Sequence, residues 1–224
     1  MTETSAGAAP LFVDADSFSP LVDELQPSDP LQFPGYVDEL ARAREQSGAT
    51  ESLSVGHATV DGLNVIAAQF NFGFLAGSLG TVAGERLARG LEHAATGGFP
   101  FVLRTATGGA RMQEGMAALV QMPKLVTARK GLADAGVPLI AVLGHPTTGG
   151  VLASNAALAD VTLAEAGATV GFAGPRLVEQ VSGRRLRAGS HTAEGALSAG
   201  LVDAVTEPDE LPSVLGRLLE VLSP

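Results

Sequence analysis

The sequence predicts an α/β fold, a single domain of mainly parallel strands with a helix passing each strand into the next. Three observations predict it. The 224 residues suffice for one sizeable core. From Ser78 onward, short apolar runs alternate with longer stretches of helical spacing. Glycine-paired turns stand where strands give way to helices.

The elements can be justified in chain order. Residues 1–28 are polar, acidic and contain Pro and Ser, so they are expected to form a flexible N-terminal arm, with the folded domain occupying 29–224. Tyr36–Gln46 follows Pro34-Gly35 and reads as a helix. Two alternating runs then flank Asp61-Gly62, a good hairpin signal. Val82–Ala95 has helical spacing, and Phe99–Arg104 is a short buried strand. A turn at Thr107–Gly109 leads into a long helix over Arg111–Ala135, where Pro123 predicts a kink or a break. Val137–Leu143 is the next strand, Thr147–Gly150 the next turn and Val151–Ala157 the next helix. Val161–Ala164 and Ala168–Phe172 read as strands, Pro175–Val181 and residues 192–199 as short helices, and Leu211–Leu222 as a terminal helix. Repeated β-turn-α units imply parallel strands with right-handed crossovers.

Composition narrows the chemistry. With no cysteine, disulfides, a thiol nucleophile and a cysteine zinc site are all removed. His57, His93, His145 and His191 lack zinc-site spacing, so no metal is expected. The formal charge of −10 argues against a general nucleic-acid binder, while leaving room for a phosphorylated ligand at local arginines. No long apolar run predicts a membrane span and the N-terminus lacks a signal-peptide pattern, so a cytoplasmic location is expected.

Two turns carry the candidate chemistry: Thr105-Ala106-Thr107-Gly108-Gly109-Ala110 and His145-Pro146-Thr147-Thr148-Gly149-Gly150. Each follows a buried strand and opens a helix. Paired glycines let a ligand approach the backbone, and free N–H groups at a helix start favour negative charge. Two such turns side by side would aim donors at one oxygen, making an oxyanion hole. Two tight structural turns would give the same pattern. Ala76–Glu85 contains GxxGxxxG but neither a P-loop nor a dinucleotide fingerprint, and close helix packing accounts for it better than ligand binding. His145 could act as a base or merely sit at the turn. Glu114 and Glu179 suit the helix dipole, and Arg111 and Arg176 could meet either phosphate or those carboxylates.

The combination says more than the spacing. GGARMQEG, then LVQMPK, then DAGVPLIAVLGHPTTGGVLAS and GFAGPRLVEQ, together with DPLQFPGYVDELARAREQSG and FNFGFLAGSLGTVAGERLARG, closely resembles the carboxyltransferase β subunit of bacterial acetyl-CoA carboxylase. The resemblance runs from about Asp29 to about Asp203. It implies a crotonase-like (ClpP/crotonase) spiral of ββα units. It also implies a carboxyl transfer from carboxybiotin to the α-carbon of an acyl-CoA, giving malonyl-CoA or a homologue for fatty acid or polyketide biosynthesis. By that resemblance Gly108, Gly109, Ala110, Gly149 and Gly150 provide or place the oxyanion donors, and Gly77, Ser78 and Arg111 line the CoA site. The implied cofactor is biotin on a biotin carboxyl carrier protein, and an α-type carboxyltransferase subunit would complete the hetero-oligomer.

The sequence departs from the family pattern in four places. It has no four-cysteine zinc ribbon, so no zinc is expected. His145 stands where Asp usually precedes Pro-Thr, Pro123 interrupts a helix, and the segment SGRRLRAGSH after Val181 differs. These changes suit a specialised pathway at least as well as the housekeeping one. Two rival readings are a biotin-independent crotonase-type decarboxylase, hydratase or thioesterase, and a non-catalytic scaffold subunit of a carboxylase complex.

Overall fold

A computed structural model describes residues 9–22 and 24–222. Its elements, in order, are β1 (Ser19–Pro20), α1 (Tyr36–Ser47), β2 (Leu53–Val60), β3 (Leu63–Phe70), α2 (Thr81–Gly97) and β4 (Phe101–Thr107). Then come α3 (Met116–Asp134), β5 (Leu139–Thr148), α4 (Gly150–Ser154), β6 (Val161–Glu165), β7 (Val170–Gly171), α5 (Pro175–Ser182), α6 (Ala193–Ser198), β8 (Ala204–Thr206) and α7 (Leu211–Leu222). The sheet runs β1-β2-β3-β4-β5-β6-β8, with β7 pairing the far end of β5. Its first two pairings are antiparallel, and those from β3 onward are parallel.

The hairpin forms where the sequence placed it. Asp61 and Gly62 have φ of 52° and 78°, and positive φ at both central residues is what a two-residue type I′ turn needs. Alternation along the strands then divides the core in two. Leu53, Val55, Ile66, Ala68, Phe101, Leu103 and Leu139 face α2 and α3. Val60, Val65, Val102, Ile140 and Val142 face Leu211, Leu215 and Leu219 of α7. A third cluster joins β5, β6, α6 and the segment between them.

Three expectations need correcting. Residues 12–21, expected as part of a loose arm, lie against the sheet: β1 pairs with β2 and Phe12 is fully buried in the α7-side core. Asp14 fastens the segment to the hairpin, accepting from the Thr59 hydroxyl at 2.6 Å and from the Asp61 and Gly62 N–H groups at 3.0 and 2.9 Å. Residues 1–8 lie outside the described residues. Secondly, α3 runs through Pro123 without a break. Ala118, Gln121 and Leu125 are buried on either side of the proline, so packing against the neighbouring helix maintains what the local sequence would interrupt. Thirdly, α3 begins at Met116, not at Arg111. Arg111 is extended (φ −75°, ψ 104°), and a short turn over Met112–Glu114 precedes the helix.

Candidate functional site

The site forms where the parallel pair β4 and β5 ends, with Thr107 aligned to Thr147 after a register shift. A group of buried threonines satisfies these strand ends internally. The Thr105 and Thr147 hydroxyls are 2.8 Å apart, Thr147 also donates to the Gly144 carbonyl at 2.8 Å, and Thr148 donates to the Thr107 carbonyl at 3.2 Å. Their β-branched side chains suit the strands, and their hydroxyls lock the two turns side by side.

The glycine turns touch through their backbones. A Cβ at Gly149 would lie 2.8 Å from the Gly109 Cα, and Gly149 has φ 75° and ψ −154°, a conformation essentially reserved for glycine. Both space and backbone conformation therefore require glycine there. The sequence expectation that the two turns converge is met by this contact.

Their N–H groups fall into two sets. Gly108 donates to the Ala76 carbonyl at 2.9 Å, Gly109 to the Thr107 hydroxyl at 3.0 Å, and Gly149 to the Phe172 carbonyl at 2.8 Å. These three shape the turns. The N–H groups of Ala110 and Gly150 have no hydrogen-bond partner among the described residues. For Ala110 the cause is a parallel bridge with Leu79. Leu79 donates to the Gly109 carbonyl at 2.8 Å and accepts from the Arg111 N–H at 3.0 Å, so the Ala110 amide faces the other way. For Gly150 the cause is its place at the start of α4, where amides have no intrahelical acceptor. The second turn thus opens a helix, though one of only five residues, and the first turn is followed by extended backbone.

The residues expected to line a CoA site lie beneath the first turn. Gly77 has φ 61°, and a Cβ there would come within 2.0 Å of the Ala106 carbonyl oxygen, so it brings its loop directly onto β4. Leu75 and Ala76 precede it with φ of 45° and 55°, an unusual left-handed run that presents the Ala76 carbonyl to Gly108. The Ser78 hydroxyl accepts from Arg111 Nε at 3.0 Å.

Arg111 is fully buried, which corrects its expected role at a ligand surface. Its guanidinium pairs with Glu51 through both terminal nitrogens, with Nη1 at 3.0 Å from Oε2. Nη1 also meets Glu114 at 3.2 Å and the Tyr36 hydroxyl at 3.3 Å, Nη2 donates to the Ser78 carbonyl at 2.9 Å, and the Phe74 ring lies 5.6 Å away. Burial alone would lower the Arg111 pKa, but hydrogen bonds and attraction to Glu51 hold it above its ordinary value. Burial likewise pushes the Tyr36 hydroxyl well up, so it stays protonated and donates to Glu114 at 2.7 Å. Glu114 completes the unit by accepting from the Thr81 N–H at 2.6 Å at the start of α2. Glu114 is therefore structural, but it lies before α3 and serves Arg111 and the start of α2 instead of the first turn of its own helix. Glu51 and Tyr36 carried no sequence signal, because an ion pair spanning 60 residues leaves no local pattern.

His145 is exposed, and its Nδ1 accepts from the Thr169 N–H at 3.2 Å. Among the described residues no group of three or more His, Asp or Glu could hold a metal ion, and no helix is long and apolar enough to cross a membrane.

The sequence profile of the carboxyl transferase domain family matches residues 3–210. The chain belongs to that family. It is 46% identical over 199 residues to the acetyl-coenzyme A carboxylase carboxyl transferase subunit beta of Rhodopseudomonas palustris (strain HaA2), covering 88% of this chain and 62% of that relative. With the subunit of the same name from Desulfitobacterium hafniense (strain Y51), it shares 45% identity over 209 residues, covering 93% of this chain and 68% of the relative. The chain thus spans about two thirds or less of these relatives. Among solved structures it resembles transcarboxylase 12S with methylmalonyl-coenzyme A and methylmalonic acid bound, at a TM-score of 0.78 and 26% identity, over 93% of this chain and 39% of that one. It also resembles a chain of the Pseudomonas malonate decarboxylase MdcD–MdcE hetero-dimer, at a TM-score of 0.73 and 26% identity, over 96% and 84% of the two chains. These neighbours are carboxyl transferase folds of the crotonase-like type, and the ββα succession here is that fold.

Proposed function

We propose that this carboxyl transferase domain is the acyl-CoA-handling, β-type half of a biotin-dependent acyl-CoA carboxylase, transferring a carboxyl group to the α-carbon of an acyl-CoA. The observation that carries the reading is the pair of unpartnered amides, Ala110 and Gly150, on two glycine turns in backbone contact. Such a pair is assigned to one thioester oxygen. Negative charge grows on that oxygen as the α-proton departs, and donors already aimed at it need no reorganisation. Gly108, Gly109 and Gly149 act one step removed, holding the turns that hold the donors. Gly77 and Ser78 brace the first turn from below, and the anchored side chain of Arg111 fixes the backbone that follows Ala110.

Two backbone donors serve one oxygen, so biotin is assigned to a site on an α-type partner subunit, delivered there by its carrier protein. When bound, biotin supplies the carboxyl group and a ureido nitrogen able to take the α-proton. This chain then has to bind the acyl-CoA, orient its α-carbon and stabilise the enolate oxygen, none of which requires a side-chain base. The partner's footing is assigned to the apolar surface beside the turns: Met112, Met116 and Val120 before and on α3, with Phe172, Leu177 and Val181 at and on α5, all exposed. No side chain of α5 is buried within this chain.

The test is co-expression with an α-type subunit, followed by a malonyl-CoA decarboxylation assay with and without biotin. Complex formation and biotin-dependent turnover are expected. Decarboxylation by the isolated chain without biotin would replace this reading with the decarboxylase one. An intact complex whose activity survives disruption of both glycine turns would replace it with a scaffold role.

A further inference from the structure

A cavity of about 1030 Å³ opens beside α4, on the flank away from α3. Leu143 and Val170 form its floor, Leu152 and Ala153 of α4 one wall, Ala196 of α6 the opposite wall, and Phe172 the edge nearest the glycine turns. Most of these groups are hydrocarbon, as in pockets that bind small apolar ligands. The floor belongs to the third core cluster and is fixed by β5, β7 and α6. Of the residues named here, the reading above uses only Phe172, as part of the partner's footing.

Its position relates it to the site. Phe172 borders the cavity and its carbonyl accepts from Gly149 at 2.8 Å. Leu152 and Ala153 follow Gly150 by two and three residues on the same short helix, so the wall begins within about 5 Å, measured along the axis, of the unpartnered amide. The apolar wall and the unpartnered amide thus belong to the same turn of helix, which relates the cavity to the second glycine turn. Polar groups line the rest of the cavity, among them the exposed side chains of Arg187 and Glu194, so the two charges there offset each other.

We infer that this cavity receives the acyl chain, and that the substrate class is an acyl-CoA with a medium-length alkyl chain rather than acetyl-CoA. The inference rests on the acyl-CoA reading of the glycine turns. An acetyl group would leave the apolar lining exposed to water, whereas each added methylene buried against it is worth roughly a fourfold gain in affinity. That gain continues until the cavity is filled.

The experiment measures binding of acetyl-, butyryl- and octanoyl-CoA to the full chain by calorimetry, and kcat/KM for the same series in the reconstituted complex. Octanoyl-CoA is expected to bind at least about tenfold more tightly than acetyl-CoA, with kcat/KM in the same order. Ala153→Phe and Ala199→Phe, both at exposed positions lining the cavity, should each abolish that preference while leaving acetyl-CoA turnover in place. Equal affinity across the series, unaltered by either substitution, overturns the inference. So does loss of the partner subunit from both variants with an unchanged chain-length profile, which would mark the cavity as a subunit contact. Chain-length-dependent binding with no biotin-dependent turnover would keep the acyl pocket and overturn the carboxyltransferase reading instead.

Discussion

Glu51→Gln tests whether the first glycine turn is held from beneath by a buried charge. Both Glu51 and Arg111 have side chains at 0% exposure, and their pairing uses both terminal guanidinium nitrogens. Removing one partner of a buried pair typically costs ~3–5 kcal/mol, because the other charge stays buried without compensation. Here Glu114 remains at 3.2 Å, and the Ser78 carbonyl and hydroxyl still accept, so the lower end applies. About 3 kcal/mol corresponds to a fall in melting temperature of roughly 6–12 °C for a domain of this size. Differential scanning calorimetry reads it directly, with Lys130→Ala as a control, since Lys130 and Asp134 form an exposed pair whose loss should leave the midpoint unchanged. A second variant separates charge from packing. In Glu51→Gln/Arg111→Met the stranded cation is gone, so the double variant should be more stable than the sum of its singles predicts. A Glu51→Gln midpoint within about 2 °C of the native protein, the response to less than ~1 kcal/mol, would refute the buried-pair reasoning. Strict additivity in the double variant would refute the coupling.

Three further outcomes are expected. Gly149→Ala places a Cβ 2.8 Å from the Gly109 Cα, separating the turns, so biotin-dependent turnover by the complex should fall ~100- to 1,000-fold while circular dichroism stays native. Pro123→Ala restores a helical N–H in α3 and should raise stability by about 1–2 kcal/mol after loss of the proline's chain stiffness, seen as a higher melting temperature. Asp14→Asn bears on acid stability. The Thr59 hydroxyl, then the Gly62 and Asp61 N–H groups, hold Asp14 below its ordinary 3.8 despite burial. A folded-state pKa below the unfolded one means that its contribution is full above about pH 3.8 and fades as pH falls through the folded value. The native protein should therefore exceed Asp14→Asn in stability at neutral pH, and urea titrations should show the gap closing in acid.

Local patterns were legible in the sequence, and long-range ones were not. Asp61-Gly62 announced the hairpin because a type I′ turn needs residues that tolerate positive φ, and that need is met within two residues. The paired glycines announced the turns for a similar reason. The sequence could not say which amides those turns leave open, because the acceptors for Gly108 and Gly149 are carbonyls at Ala76 and Phe172, in other loops. The start of α3 was misplaced for the same kind of reason. Gly115, at φ 53°, is where the helix starts, a glycine signal that the sequence did carry. The inward turn of Arg111 to Glu51, which keeps Arg111–Glu114 out of the helix, has no local pattern. Phe12 looked like an apolar residue in a polar arm, and only the strand pairing of Ser19–Pro20 shows how it reaches the core. Pro123 marks the opposite limit: its local cost was legible, but burial along the rest of α3 outweighs it.

The two halves of the candidate site are secured by different means, and this bears on how each can vary. The second turn is held by short-range features: Thr147 and Thr148 at the end of β5, and the start of α4 immediately after Gly149. The first turn depends on Arg111, whose partners come from the loop before β2, from α1 and from the turn before α3. Ala110 lies between Gly109, which the Leu79 bridge holds, and Arg111, which Glu51 holds. A shift of the guanidinium would therefore move the Ala110 amide with little effect on Gly150. Weakening the Arg111 network should consequently reduce turnover through one donor of the pair, whereas an exposed substitution on the cavity side of α4 should act on the cavity and leave the Gly150 donor in place. Glu51→Gln and Ala153→Phe distinguish these routes. The first should lower kcat for every acyl-CoA alike, and the second should alter the order among them.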